Sequence, residues 1–504
     1  MFAHGVSVNI SHFGESCVKK TENNSESGRI NKRMYELTVL LEENGKDPLY
    51  EQLYRHVREE IRSGRIKAGT RLPSTRFLAQ HLSVSRSTTQ LAYDQLVAEG
   101  YLESIPCKGY FAAMVDGLCE IKSGTKKMET AAKEQETVRY DFSTRGIDPD
   151  GFPANIWKKL TREVLAGEDG SLYMNGESQG EWGLRCAICD YLHSARGVNC
   201  SPKQVLIGAG SEYLLMLIDQ IIGQSFVIAM ENPTYVQAYR VFSGLGHQVV
   251  SVEMDEYGMD VTKLRESGAK MAYVMPSHQF PTGKIMPLKR RMELIAWATE
   301  QQDRYIIEDD YDSEFRYRGK PIPALQGYDH DGHVIYLGTF SRSIAPGIRV
   351  SFLVLPERLL ERYHERCGFY ATTVSRIDQE ILARFIQGGY YERHLNRMKG
   401  IYRAKHDLLL ELLQSFRGRF RIRGENAGIH VLIEERSDDK EVDVCAREEW
   451  LVERAREEGV GVYGVSRYYM EGHARHATIL LGFVKMSNPE IREAIGRLAK
   501  AWEL

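Results

Sequence analysis

Between Gln204 and Leu355 the chain sets short apolar stretches at intervals, each separated from the next by a longer segment with helical spacing. They are Gln204–Ile207, Ser225–Met230, Gln248–Val252, Met271–Met275, Tyr305–Glu308, Val334–Leu337 and Ser351–Leu355. Runs this short and this apolar suit strands buried on both faces. Repeated βα alternation packs as a mainly parallel sheet with helices over both faces. Residues 391–504 read as a smaller α/β lobe, with a long helix (Leu395–Phe416), strands at Ile429–Glu434 and Thr478–Leu481, and a final helix. The expected fold class over residues 139–504 is therefore α/β, with a large lobe over about 139–390.

The chain has 504 residues, too many for one ordinary core, so further domains are expected. Residues 1–33 are polar and aperiodic and read as a disordered extension; Met34 opens the ordered pattern and is the expected functional start. Residues 34–113 form a separate unit. Leu49, Leu53, Val57 and Ile61 mark a first helix over Leu49–Ser63, closed by Gly64. Ser74 is the expected N-cap of a second helix, Arg76–His81, and a third runs from Arg86 to Glu99 before Gly100. Strands Tyr101–Ser104 and Gly109–Ala112 complete a winged helix-turn-helix. Residues 114–138 have no periodic apolar face and read as a linker.

The net charge of -3 hides a local cluster. Between Ile61 and Tyr93 lie Arg62, Arg65, Lys67, Arg71, Arg76 and Arg86 and no acid. A charge run alone is usually a solvated face; on a winged helix it fits a DNA backbone, and use of the module for protein contacts only is the less favoured alternative. The eight cysteines are scattered, without a secretory signal or a spaced framework, which suits a reducing cytoplasm. Cys186, Cys189 and His193 could lie along one side of a helix; with no second Cys/His cluster they read as core packing, and no metal is expected. No apolar run approaches the ~20 residues that span a bilayer. The turn after Val334–Leu337 carries Thr339, Ser341, Arg342 and Arg349, a set of hydroxyls and guanidiniums suited to a dianionic phosphate.

Residues 48–113 resemble the GntR family's reader closely, through Leu72-Pro73-Ser74, Arg76, Leu78-Ala79, Val84-Ser85-Arg86, Thr88, Ala92-Tyr93 and Glu99-Gly100. The resemblance implies that Ser85, Arg86, Ser87, Thr88 and Thr89 meet bases or phosphates. Thr75 and Arg76 would lie on the backbone, and the wing residues Lys108 and Gly109 near the minor groove. Cys107 stands where the family often has glycine. From Met34 onward the chain is similar to MocR/GabR-type regulators, which fuse such a reader to a fold-type-I, pyridoxal-phosphate (PLP) aminotransferase-like domain. The motifs are Pro276-Ser277-His278-Gln279-Phe280-Pro281-Thr282-Gly283 and Ile307 to Tyr317.

That resemblance gives Asp309 to the pyridine nitrogen, Tyr311 to the phenolic oxygen and Tyr235 to the ring face. It gives Ser211, at a helix N-terminus, with Thr339, Ser341 and Arg349 to the phosphate. The residue after Ser341 is a lysine in the enzymes, where it holds the cofactor covalently; here it is Arg342, whose guanidinium stays protonated and is a very poor nucleophile. Asn175, with Tyr173 nearby, stands where many relatives have a phosphate-binding tyrosine, and Gln237 and Leu480 stand where some have carboxylate-clamping arginines. Lys284 and Lys320 lie near pocket loops, but nothing in the sequence brings them to the reacting carbon. The implied function is a homodimeric regulator that binds double-stranded operator DNA. Its aminotransferase-like domain would dimerise and sense a small-molecule effector, PLP or a PLP derivative held noncovalently with Arg342 among the contacts; the other variant is an empty pocket with Arg342 bonded to neighbouring carbonyls or to Asp309. In both, no catalytic residue is expected. The alternative is a PLP-dependent aminotransferase with an accessory DNA-binding domain.

Overall fold

The computed structural model describes residues 37, 39, 41–42, 47–114, 138–167, 170–223, 226–317, 319, 322–425, 427–436 and 443–504. The expected N-terminal extension, the start at Met34, linker residues 115–137, Ser225 and Lys320 lie outside the described residues. The chain divides into two compact units, Met1–Ala132 and Lys133–Leu504.

In the first unit, α1 (Leu49–Arg62), α2 (Thr75–His81) and α3 (Arg86–Ala98) precede a hairpin of β1 (Leu102–Ile105) and β2 (Gly109–Ala112). The fourfold spacing of α1 buries Leu53, Val57 and Ile61 on one face. They meet Leu78 of α2 and Ala92, Tyr93 and Leu96 of α3. Side-chain caps start the second and third helices: Ser74 Oγ accepts from Phe77 N at 3.2 Å and Ser85 Oγ from Thr88 N at 3.1 Å. The hairpin pairs Leu102 with Ala112, and an Arg71–Phe111 bridge adds the connection before α2 to its edge.

The second unit opens with β3 (Tyr140–Asp141), α4 (Ala154–Leu165), α5 (Trp182–Arg196), β4 (Val205–Gly208) and α6 (Ser211–Ile222). It continues with β5 (Val227–Asn232), α7 (Val236–Gly244), β6 (Gln248–Asp255), β7 (Gly258–Met259), α8 (Val261–Glu266), β8 (Met271–Val274) and α9 (Leu288–Thr299). β9 (Tyr305–Asp310), β10 (Val334–Thr339), β11 (Ser351–Val354), α10 (Glu357–Cys367), α11 (Arg376–Gln387) and α12 (Tyr390–Leu412) follow. The eight-stranded sheet has the order β4-β11-β10-β9-β8-β5-β6-β7. Its centre, β10-β9-β8-β5-β6, is parallel, and β11, β4 and β7 are antiparallel to their neighbours. Successive residues of β9 go to opposite cores: Tyr305 and Ile307 pack with Leu214 and Ile218 of α6, while Ile306 packs with Leu294 and Trp297 of α9. Burial on both faces is why these strands read as continuous apolar runs.

The smaller lobe holds β12 (Phe420–Arg423), β13 (His430–Glu435), α13 (Val444–Glu457), β14 (Val460–Gly461), β15 (Tyr463–Gly464), β16 (Thr478–Gly482) and α14 (Asn488–Ala501). Its antiparallel sheet runs β12-β13-β16-β15. The lobe is not contiguous in sequence. β3 pairs in parallel with β14, and Tyr140 and Phe142 join the core of Tyr402, Leu409, Leu451 and Trp502. A strand of two residues has no periodicity to announce it.

Candidate functional site

The reader exposes Arg76, Ser85, Arg86, Ser87 and Lys108 and leaves Thr88 half-buried. Arg76, Arg86 and Lys108 take part in no ion pair among the described residues, so their charge stays available to phosphates. Ser85 Oγ lies 2.7 Å from Ser87 Oγ and 2.8 Å from Thr88 Oγ1, which organises the first turn of α3 as one hydroxyl cluster. Two side chains assigned to DNA from sequence sit elsewhere. Thr75 and Thr89 are buried, and Thr89 Oγ1 donates to the carbonyls of Thr75 (2.9 Å) and Arg86 (3.0 Å). That hydroxyl ties α3 to α2 and does not face a groove. At the wing, Gly109 has φ +103°, and Cys107 also adopts a left-handed conformation, φ +59°. The latter explains a preference for glycine at this place.

In the second unit a cavity of about 640 Å³ opens at the carboxyl ends of β9 and β10, and Ser211, Tyr235, Asp309, Tyr311, Thr339, Ser341, Arg342 and Arg349 all line it. One end is built for an anion. Ser211 begins α6 behind Gly210, whose φ of +100° favours glycine and whose notional Cβ would stand 2.3 Å from Arg349 Nη2, so a side chain here would strain the backbone and displace that guanidinium. Thr339 Oγ1 accepts from Ser341 N at 3.1 Å and from Ser351 Oγ at 2.8 Å. Arg349 Nη2 donates to Ala209 O at 3.1 Å and pairs with Glu212 at 3.2 Å. This pair is largely exposed and correspondingly weak, so a phosphate can compete for the guanidinium.

At the other end is Asp309, the penultimate residue of β9. Its carboxylate accepts from Tyr273 OH, and burial pushes its pKa up to about 7. Tyr311 OH lies 3.1 Å from His278 Nδ1, which lies 2.9 Å from Asp312 Oδ2. Tyr235 packs edge-on to Phe280, ring centroids 6.2 Å apart, and burial raises its phenol to about 12. The neighbouring acids of β9 serve the scaffold. Glu308 accepts from Leu325 N and Gln326 N, each at 2.8 Å, and Asp310 pairs with Arg196 at 2.8 Å.

Arg342 is half-buried, lines the cavity and donates to the Thr144 carbonyl. No lysine is among the described residues lining it. Lys284 Nζ donates to Asp255 O at 2.7 Å. Gln237 lines the cavity, whereas Leu480 is fully buried in the core between the lobes, opposite Leu432. Tyr173 and Asn175 are exposed. Sequence reasoning missed Thr144, Arg145, Met275 and Tyr468, which also line the cavity. Arg145 and Tyr468 come from the two ends of the unit and carry no spacing signal; Phe280 was within reach, since it belongs to the Pro276–Gly283 motif.

Comparison with known proteins agrees with this geometry. Residues 49–111 match the family model "Bacterial regulatory proteins, gntR family", and residues 148–498 match "Aminotransferase class I and II". The HTH-type transcriptional regulator YdeL of Bacillus subtilis is 40% identical over 93% of this chain and 100% of its own length. The probable rhizopine catabolism regulatory protein MocR of Rhizobium meliloti is 31% identical over 92% of this chain and 96% of its own. Among solved structures, a Pyrococcus horikoshii kynurenine aminotransferase superposes with a TM-score of 0.63 at 25% identity, covering 74% of this chain and 92% of that one. Reader, cavity and full-length relatives point the same way: the chain belongs to the GntR family in its MocR type, a transcriptional regulator that joins a helix-turn-helix DNA-binding domain to an aminotransferase class I and II domain.

Proposed function

We propose that this regulator senses a PLP-class ligand, held noncovalently in the cavity, and that it works as a homodimer whose two readers bind paired operator half-sites. The observation that carries the sensing assignment is Arg342: the place of the imine-forming amine is taken by a cation that cannot attack a carbonyl, inside a cavity otherwise complementary to the cofactor. The donor set fits. Ser211 with the amides opening α6, Thr339, Ser341 and Arg349 would hold the phosphate. Asp309, which keeps its proton up to about pH 7, would share it with a ring nitrogen. Tyr311 would donate to the phenolic oxygen, and Tyr235 and Phe280 would exclude water from the ring. When bound, PLP supplies an electrophilic aldehyde on an electron-withdrawing ring. Among the described residues no lysine lines the cavity, so this reading is of recognition without turnover.

Dimerisation is supported by Tyr173, Met174 and Trp182, which are 66%, 70% and 48% exposed within one short segment. Apolar surface of this kind favours a self-complementary contact. At the reader, Arg86, Ser87, Thr88 and the Ser85 hydroxyl are the groups available to base edges or phosphates, with Arg76, Lys108 and the Gly109 backbone beside them. Ligand would act by favouring one arrangement of the two readers over another. The test is binding of the full chain to its own promoter region and to random DNA, with and without PLP. Preference for the promoter that changes with PLP is expected. Equal affinity for both DNAs, or steady transamination by the native chain, would overturn the proposal.

A further inference from the structure

Among the described residues, a cluster of cysteine and histidine side chains lies outside both sites. Cys189 and His193 are one helical turn apart on α5, and Cys200 comes from the loop that doubles back after Gly197, which ends the helix at φ +64°. Both cysteines are buried, His193 is exposed, and the three ligand atoms all lie within 4.8 Å of one another. The two Sγ atoms are 3.5 Å apart. A disulfide needs about 2.05 Å. Two thiolates on one tetrahedral ion, with bonds of about 2.3 Å, stand roughly 3.8 Å apart. The observed spacing is close to the second case. Cys200 N also approaches His193 Nε2 at 3.3 Å, so the ring offers a lone pair to this loop.

We propose that Cys189, His193 and Cys200 form a binding site for a zinc-class divalent cation, with three protein ligands and a fourth position open to water. Sequence spacing alone reads Cys186, Cys189 and His193 as packing for want of a second cluster; the fold brings in a further thiol, Cys200, from the loop. Cys189 Sγ donates to Cys200 O at 3.0 Å, a bond that coordination would replace. On loading, two S–H bonds break, two sulfur–metal bonds form, the imidazole lone pair makes the third bond, and two protons go to solvent. Nothing is oxidised or reduced. Uptake therefore weakens as pH falls.

The site sits where an ion would tie local structure to the cofactor cavity. Asn199 N donates to Gln326 Oε1 at 2.8 Å, and Gln326 Nε2 returns a bond to Asn199 O at 2.9 Å. Gln326 N in turn donates to Glu308 of β9, the residue before Asp309. Closing α5 onto its own loop would stabilise this unit in proportion to metal occupancy.

The experiment uses the full chain, reduced and stripped with a chelator, titrated with cobalt(II) alone. One equivalent is expected to give a thiolate-to-metal charge-transfer band and the visible bands of a tetrahedral ion, to release two protons, and to be displaced by zinc. Zinc should also raise the unfolding midpoint of the native chain. The double variant Cys189→Ser/Cys200→Ser should lose the bands and the shift. His193→Ala, at an exposed position, should keep the fold and weaken uptake by roughly tenfold or more. Cys445→Ser, on α13, should change nothing. No cobalt band in the reduced chain, bands that persist in the double variant, or His193→Ala binding as tightly as the native chain would each overturn the assignment. So would a Cys189–Cys200 disulfide found by peptide mapping in a chain that, once reduced, takes up no cobalt.

Discussion

At the scale of single residues, the second unit turns on two side chains in one cavity. Arg342 removes nucleophilic chemistry and leaves a fixed positive charge, while Asp309 is a buried carboxyl whose proton persists to about pH 7 against an ordinary value of 3.8. In that interval the unfolded chain has released the proton that the folded chain retains, so this group's stabilising effect is full below pH 3.8 and is lost as pH rises to about 7. Asp309→Asn is expected to flatten part of the fall in stability between pH 5 and 7 and to weaken PLP binding. Denaturant unfolding at several pH values checks the first effect; the slope should shrink without vanishing, because burial also holds Glu231, Glu308 and Glu314 near 7. In the reader, Cys107 has φ +59°, a conformation that costs an L-residue about 1–2 kcal/mol. Cys107→Gly should raise reader stability by about 1 kcal/mol in thermal unfolding, net of glycine's greater chain entropy.

At the scale of elements, sequence and structure agree where burial imposes a pattern. The strands around Asp309 open on unbroken apolar runs, such as residues 305–307 and 334–337, because helices cover both faces, and in the reader α1 shows its core face while α2 and α3 show their serine caps. Elements of two residues, such as β3 and β14, have no period to read and come only from tertiary pairing. The cavity was legible through Asp309, Tyr311, Tyr235 and the Thr339–Arg349 turn because they are set in motifs. Arg145 and Tyr468 were not, since they arrive from distant parts of the chain. Thr75 and Thr89 show the reverse limit: a residue within a DNA-reading motif can belong to the core, because spacing along α3 does not say which hydroxyl turns inward. Thr89→Val should therefore cost about 1 kcal/mol of reader stability while sequence discrimination stays intact. Arg86→Ala should cost about 1–3 kcal/mol of operator binding, and Lys108→Ala should weaken binding to all sequences and lower the salt slope by about 1. Gel-shift titrations at several salt concentrations separate the three.

At the scale of the molecule, one chain carries a reader and an aminotransferase-like cavity in which no described lining residue is a lysine. Coupling requires that ligand distinguish two arrangements of the readers, and paired half-sites require two copies of the chain. Replacing exposed Tyr173 and Met174 with serine should shift the chain toward monomer in sedimentation and reduce operator affinity far more than affinity for a single half-site.

The central claim is that the cavity holds its ligand without a covalent bond. It is tested most directly by absorbance titration of the purified native chain with equimolar PLP, beside Arg342→Lys. Saturable binding with no protein-imine band in the native chain, and appearance of that band in Arg342→Lys, is the predicted result. A stoichiometric imine band in the native chain, or no binding by either protein, would contradict it.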